Sequence, residues 1–124
     1  MRFLVGSIVD WPALFKQAYR CLKPGGYIES HEASPNIGSD DGSVKPDSAM
    51  GEWGEIFFEG GRKLQRPFSI LEDNIQNEGM KEAGFGNIEE AEVQASWYWY
   101  FKEKRLTSMR IARSLSVAGL KIPS

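Results

Sequence analysis

At 124 residues and 14.0 kDa the chain is one domain or part of one, and 41% hydrophobic with 12% aromatic residues is the composition of a packed protein. A formal charge of −2 excludes a nucleic-acid footprint over the chain as a whole, although residues 1–101 hold 9 basic against 16 acidic side chains and residues 102–124 hold 6 against 1. The single Cys21 excludes an internal disulfide and predicts a reducing, intracellular setting; no window approaches the run of about 20 apolar residues that a membrane span needs.

The chain opens on Met1-Arg2-Phe3-Leu4-Val5 with no polar lead-in, cap or strand partner visible. Asp10 then reads as a helix N-cap, with Pro12 in the first turn where its missing N–H has no partner to lose. Leu14, Phe15, Ala18, Cys21 and Leu22 recur at three- and four-residue spacing and predict one apolar face. Pro24 stops the helix, Gly25-Gly26 turn the chain, and Tyr27 to Glu32 alternates as a strand. Helix, turn and strand in that order make an αβ unit of an open, mostly parallel sheet.

Ala33 to Asp47 is rich in Ser, Asp, Gly and Pro and reads as a surface loop. Its Asp40-Asp41-Gly42 lacks the alternating carboxylates and the closing Glu of a calcium loop, so turn chemistry accounts for it. Asp47 caps an expected helix over Ser48 to Arg66 whose apolar stripe is Met50, Trp53, Ile56, Phe57 and Leu64, with Glu52, Glu55 and Glu59 outside. Ser69-Ile70-Leu71-Glu72 has the form of a capping box, Ile75, Met80 and Ala83 continue a buried face, and Gly84 ends the helix with Phe85 folded back on it. Asn87 to Ala95 reads as a strand, and the five aromatics Trp97 to Phe101 as a further buried one. Leu106, Met109, Ala112 and Leu115 predict a basic amphipathic helix over Leu106 to Ala118, the body of a basic helical tail over 102–124.

Several of these segments carry a resemblance. Leu22-Lys23-Pro24-Gly25-Gly26 before a strand is similar to the turn preceding the fifth strand of class I S-adenosylmethionine-dependent methyltransferases. The likeness to the LaeA-like group of fungal secondary-metabolism regulators continues through Ser39 to Ser43, Trp53 to Lys63 and Gly79 to Ile88, and covers roughly residues 2 to 95. It implies an α/β fold, the C-terminal half of a Rossmann-like sheet with extra helices, in which residues 1–124 form one partial methyltransferase-like domain without its cofactor-binding half. Arg2 falls where a family signature at the rim of the cofactor cleft finishes, and the helix containing Trp53 lies where the family covers its substrate cleft.

Methyl transfer from a sulfonium donor asks the protein chiefly to hold a nucleophile in line with the methyl group and to exclude water. Holding the donor calls for a glycine-rich strand-to-helix turn. The nearest match, Gly84-Phe85-Gly86, follows a helix, so no cofactor is expected on this chain alone, although the full-length family uses S-adenosylmethionine. Because open α/β sheets bind ligands at the carboxyl ends of their strands, His31 and Glu32 are the candidate catalytic groups. Glu29, Glu32 and Trp53 are candidates for the substrate cleft, and Arg2 for the cofactor side. No metal-ligand cluster is visible. Two functions follow: a truncated methyltransferase, or a non-catalytic fragment that docks on a regulatory protein. In either case an open sheet edge beside Tyr27 to Glu32 calls for a partner, which is a regulatory protein or the absent N-terminal half, with neither nucleic acid nor membrane involved.

Overall fold

The structure is a computed structural model, which describes residues 1–97 and 109–119, with side chains described through residue 91. Its elements run α1 (Trp11–Cys21), β1 (Tyr27–Ser39), α2 (Trp53–Leu64), α3 (Ile75–Ala83), β2 (Gly86–Trp97) and β3 (Met109–Gly119). The three strands form one antiparallel sheet in the order β1-β3-β2, in place of the mostly parallel Rossmann-like sheet expected from sequence, because the segment expected as a terminal helix enters as β3 and pairs antiparallel with both neighbours. β1 and β2 run in the same direction on either side of β3 without pairing with each other, and α2 and α3 lie between them in the chain. The domain is thus a small mixture of helices and strands.

α1 starts as its sequence dictates. The Ala13 amide donates to Asp10 Oδ1 (2.9 Å), satisfying one of the first-turn donors, and Pro12 occupies the first turn. Trp11 and Phe15 are buried, and Leu14, Ala18 and Leu22 pack around them. Cys21, expected on that apolar face, is exposed at the last helical position, where the face has already turned toward solvent. Gly25 takes a φ of 78° in the reversal after Pro24, and the Gly26 amide donates to the Lys23 carbonyl (2.9 Å).

The core is Trp11, Phe15, Ile70, Met80 and Phe85, drawn from α1, α3 and the turns flanking α3. α1 and α3 lie against each other, and Gly79 makes this possible: a β-carbon there would sit 2.7 Å from the Phe15 ring. Gly84 closes α3 with a φ of 100°, and the Phe85 amide returns to the Met80 carbonyl (3.1 Å), placing the Phe85 ring edge-on to Tyr19 with centroids 5.1 Å apart.

Further features depart from the sequence-based expectations. First, β1 runs seven residues past Glu32 through the expected loop. The register shifts between Ala33 and Ile37, and Pro35, which has no N–H to give a ladder, falls inside that irregularity. Second, the segment expected as a basic helix is strand β3 where the structure describes it. Met109, Ile111, Leu115 and Val117 also satisfy a period of two, and two flanking strands supply hydrogen bonds on both edges. Residues 102–108 and 120–124 of the expected tail, and residues 98–101 of the aromatic run, lie outside the described residues; Trp97 is the last residue of β2.

Third, Ser69 and Glu72 form no capping box. Residues 69–74 make turns, Ser69 Oγ donates to Asp73 (2.5 Å), and α3 begins after Asn74 in a left-handed conformation. Fourth, α2 begins at Trp53, with no side-chain cap from Asp47. Fifth, the N-terminal residues have a strand partner. Arg2 bridges His31 in parallel, the Phe3 amide donates to the His31 carbonyl (2.8 Å) and the His31 amide to the Met1 carbonyl (3.0 Å).

α2 also faces differently from its expected orientation. Trp53, Ile56 and Leu64 are 46%, 64% and 68% exposed, whereas Gly54 and Gly61 are buried. Gly54 lies where a β-carbon would overlap Asn36, and at Gly61 one would sit 2.6 Å from the Arg66 carbonyl oxygen and 2.9 Å from the Phe68 ring. The helix approaches β1 through glycine and presents its apolar stripe outward.

Candidate functional site

β1 places the candidate residues on two faces. A strand alternates its side chains, so Ser30, Glu32 and Ser34 share the inner face while Glu29 and His31 share the other. The inner face is polar yet buried. Gln76 of α3 donates to Ser30 Oγ (3.0 Å), and Ser34 Oγ donates to Glu72, which also accepts from Asn36 Nδ2 (3.0 Å). Between these two links lies Glu32, 1% exposed. Its Oε2 accepts from the Leu4 and Val5 amides, each at 2.9 Å, while its Oε1 is buried without a hydrogen-bond partner among the described residues.

Burial raises the Glu32 carboxyl above the usual glutamate range, because desolvation disfavours the charged form; the Leu4 and Val5 amides oppose that shift without cancelling it. One carboxylate thus has two tasks. It holds the chain as it leaves its pairing with β1, and it keeps one oxygen free in a dry environment. A carboxyl in that state can accept a hydrogen bond or, when protonated, donate one.

His31 and Glu29 meet on the opposite face, with His31 Nε2 at 3.7 Å from Glu29 Oε2, beyond hydrogen-bonding distance and within ion-pair reach. Arg2 is exposed and joins this group through backbone pairing with His31. Trp53 stands apart at the start of α2, its ring tilted against Phe57 with centroids 5.3 Å apart, and Phe57 in turn meets Phe68 at the same separation. The structure therefore brings Arg2, Glu29, His31 and Glu32 to one short length of β1, divided between its faces, and does not add Trp53 to them. Because β1 extends to Ser39, Glu32 lies at mid-strand instead of at a strand end.

The polar partners Ser34, Asn36, Glu72 and Gln76 were not singled out from sequence. The available signal was Ser30-x-Glu32-x-Ser34, three polar residues at the spacing of a single strand face. The glycine pair tested as a donor cradle does not have the required geometry. Gly84 is the C-cap of α3, its amide is bonded to Lys81 and Met80 carbonyls, and a helix C-terminus presents carbonyl oxygens where a nucleotide-like ligand needs N–H groups. The described residues do not fit S-adenosylmethionine at that turn.

Sequence comparison supplies the class: a small helix-and-strand domain homologous to methyltransferases. The chain is 39% identical over 80 residues to the "Probable methyltransferase tdiE" of Emericella nidulans, a match covering 64% of this chain and 24% of that protein. It is 30% identical over 98 residues to the "Secondary metabolism regulator LAE1" of Cochliobolus heterostrophus (78% of this chain, 31% of that protein). It is 31% identical over 84 residues to the "Protein-methionine methyltransferase laeA" of Chaetomium globosum (67% and 26%). Its homologues are thus fungal methyltransferases and LaeA-like regulators, consistent with a LaeA-like methyltransferase group, and the chain spans about a quarter to a third of the length of these relatives. No family model and no solved structure matches. Among the described residues, no helix is long and apolar enough to cross a membrane.

Proposed function

We propose that the chain is a methyltransferase-like segment whose β1 region lies on the methyl-acceptor side of a class I fold, and that these 124 residues alone do not bind S-adenosylmethionine. The observation that carries this reading is the homology to fungal methyltransferases over most of the chain. The parallel bridge between Arg2 and His31 on the free edge of β1 supports it, because a strand paired there in parallel is what a class I sheet supplies.

In this reading Glu32 positions the segment after Phe3 through its two amide bonds, with its second oxygen buried on the inner face of β1. Glu29 and His31 line the opposite face, where His31 is the available base, while Arg2 belongs to the rim. Trp53 contributes to the outer wall through the Phe57 and Phe68 rings. Calorimetric titration of the 124-residue chain with S-adenosylmethionine tests the proposal. No binding at micromolar cofactor is expected; micromolar affinity would show that the described residues build a donor site of another design.

A further inference from the structure

We propose that the outward stripe of α2 is a self-pairing surface, on which a second copy of this chain docks its own α2 antiparallel around a two-fold axis. Trp53, Ile56 and Leu64 lie on one side of the helix and are all exposed, with Met50 exposed just before it. Gly60 lies in the middle of that stripe, and a β-carbon there would meet nothing within 4 Å, so the surface has a shallow waist between two apolar ends.

The charges identify the occupant. Glu52 and Glu55 lie at the N-terminal end of α2, while Arg62, Lys63 and Arg66 lie at or just beyond its C-terminal end. A two-fold interface must be complementary to itself. Antiparallel pairing meets that condition, because it lays the acidic half of each helix along the basic half of the other. Parallel pairing would oppose like charges. With the axis near Phe58, Ile56 of one copy enters the waist at Gly60 of the other, and Trp53 lies over the Lys63 stem, where ring and ammonium attract. Arg62 holds an intrahelical ion pair with Glu59, both more than half exposed, so its charge already sits at the surface. A contact confined to one helix per copy belongs to the weak, concentration-dependent class of interfaces.

Sedimentation equilibrium of the 124-residue chain, with circular dichroism to verify folding, tests this directly. A monomer–dimer equilibrium is expected, weakened at least tenfold by Ile56→Glu. Two charge variants distinguish a copy of the chain from any other occupant. E52K/E55K makes the N-terminal end of the helix basic like its C-terminal end, and R62E/K63E makes the C-terminal end acidic like its N-terminal end, so each variant alone should be monomeric while their equimolar mixture should associate. Gly60→Ala should weaken the dimer without unfolding the monomer. A wild-type chain that stays monomeric, a dimer indifferent to Ile56→Glu, or a variant mixture that fails to associate each overturns the proposal. The stripe would then belong to another segment of a longer protein or to a foreign helix.

Discussion

α1 and α2 are amphipathic helices of nearly equal length, and they use their apolar faces in opposite ways. α1 buries Trp11 and Phe15 against α3 and Phe85. α2 turns Trp53, Ile56 and Leu64 outward and buries Gly54 and Gly61. Hydrophobic periodicity identifies a face but not what that face meets. In α2 the inner surface is set by how closely the backbone must approach Asn36 and Phe68, and only glycine permits that approach.

Substitutions can break this contrast, beginning with the largest effect. Phe15→Ala removes a fully buried ring from the α1–α3 contact and should cost about 3–5 kcal/mol in chemical denaturation. Gly61→Ala drives a methyl group into the Arg66 carbonyl and the Phe68 ring and should destabilise by about 1–3 kcal/mol, although alanine is the better helix former. Glu32→Ala leaves the Leu4 and Val5 amides without their acceptor and should cost about 1–3 kcal/mol. Asp10→Ala removes the cap of α1 and should cost about 1 kcal/mol. Gly60→Ala, one residue from Gly61 but facing open space, should be neutral or stabilise the monomer by up to about 1 kcal/mol. Opposite signs at adjacent glycines would locate the inner face of α2; equal signs would contradict its orientation.

Glu32 adds a pH dependence. Its folded pKa is raised, so the folded chain binds this proton more tightly than the unfolded chain. The contribution of this group is most favourable below the ordinary glutamate range and declines as pH rises from there through the folded value. Glu32→Gln keeps an acceptor for both amides and removes the charge, so denaturation midpoints of the variant should vary less across that window than those of the parent. An unchanged slope would contradict the burial argument.

Much of the local structure is legible in the sequence because it is locally determined. Asp10 with Pro12, the turn at Pro24-Gly25-Gly26, and the return at Gly84-Phe85 all depend on neighbours within a few residues. What sequence reading missed depends on distant partners. The residues of β3 satisfy two periods at once, and only the edges of β1 and β2 decide for a strand. Ser69 and Glu72 match a capping box, but Glu72 is engaged by Ser34 and Asn36, more than thirty residues away in sequence. For the candidate site, Glu32 was visible as an acid on a strand. Its burial and its two amide partners required the chain after Phe3 to return to β1, which no spacing reveals.

The orientation of α2 is the claim on which the glycine contrast and the self-pairing surface both depend. Hydroxyl-radical footprinting of the dilute chain, read residue by residue by mass spectrometry, tests it most directly. Trp53, Ile56 and Leu64 should be modified at rates close to those of the unfolded chain, while Trp11, Phe15 and Met80 are strongly protected. Protection of Trp53, Ile56 and Leu64 equal to that of Phe15, at concentrations where the chain is monomeric, would contradict the account.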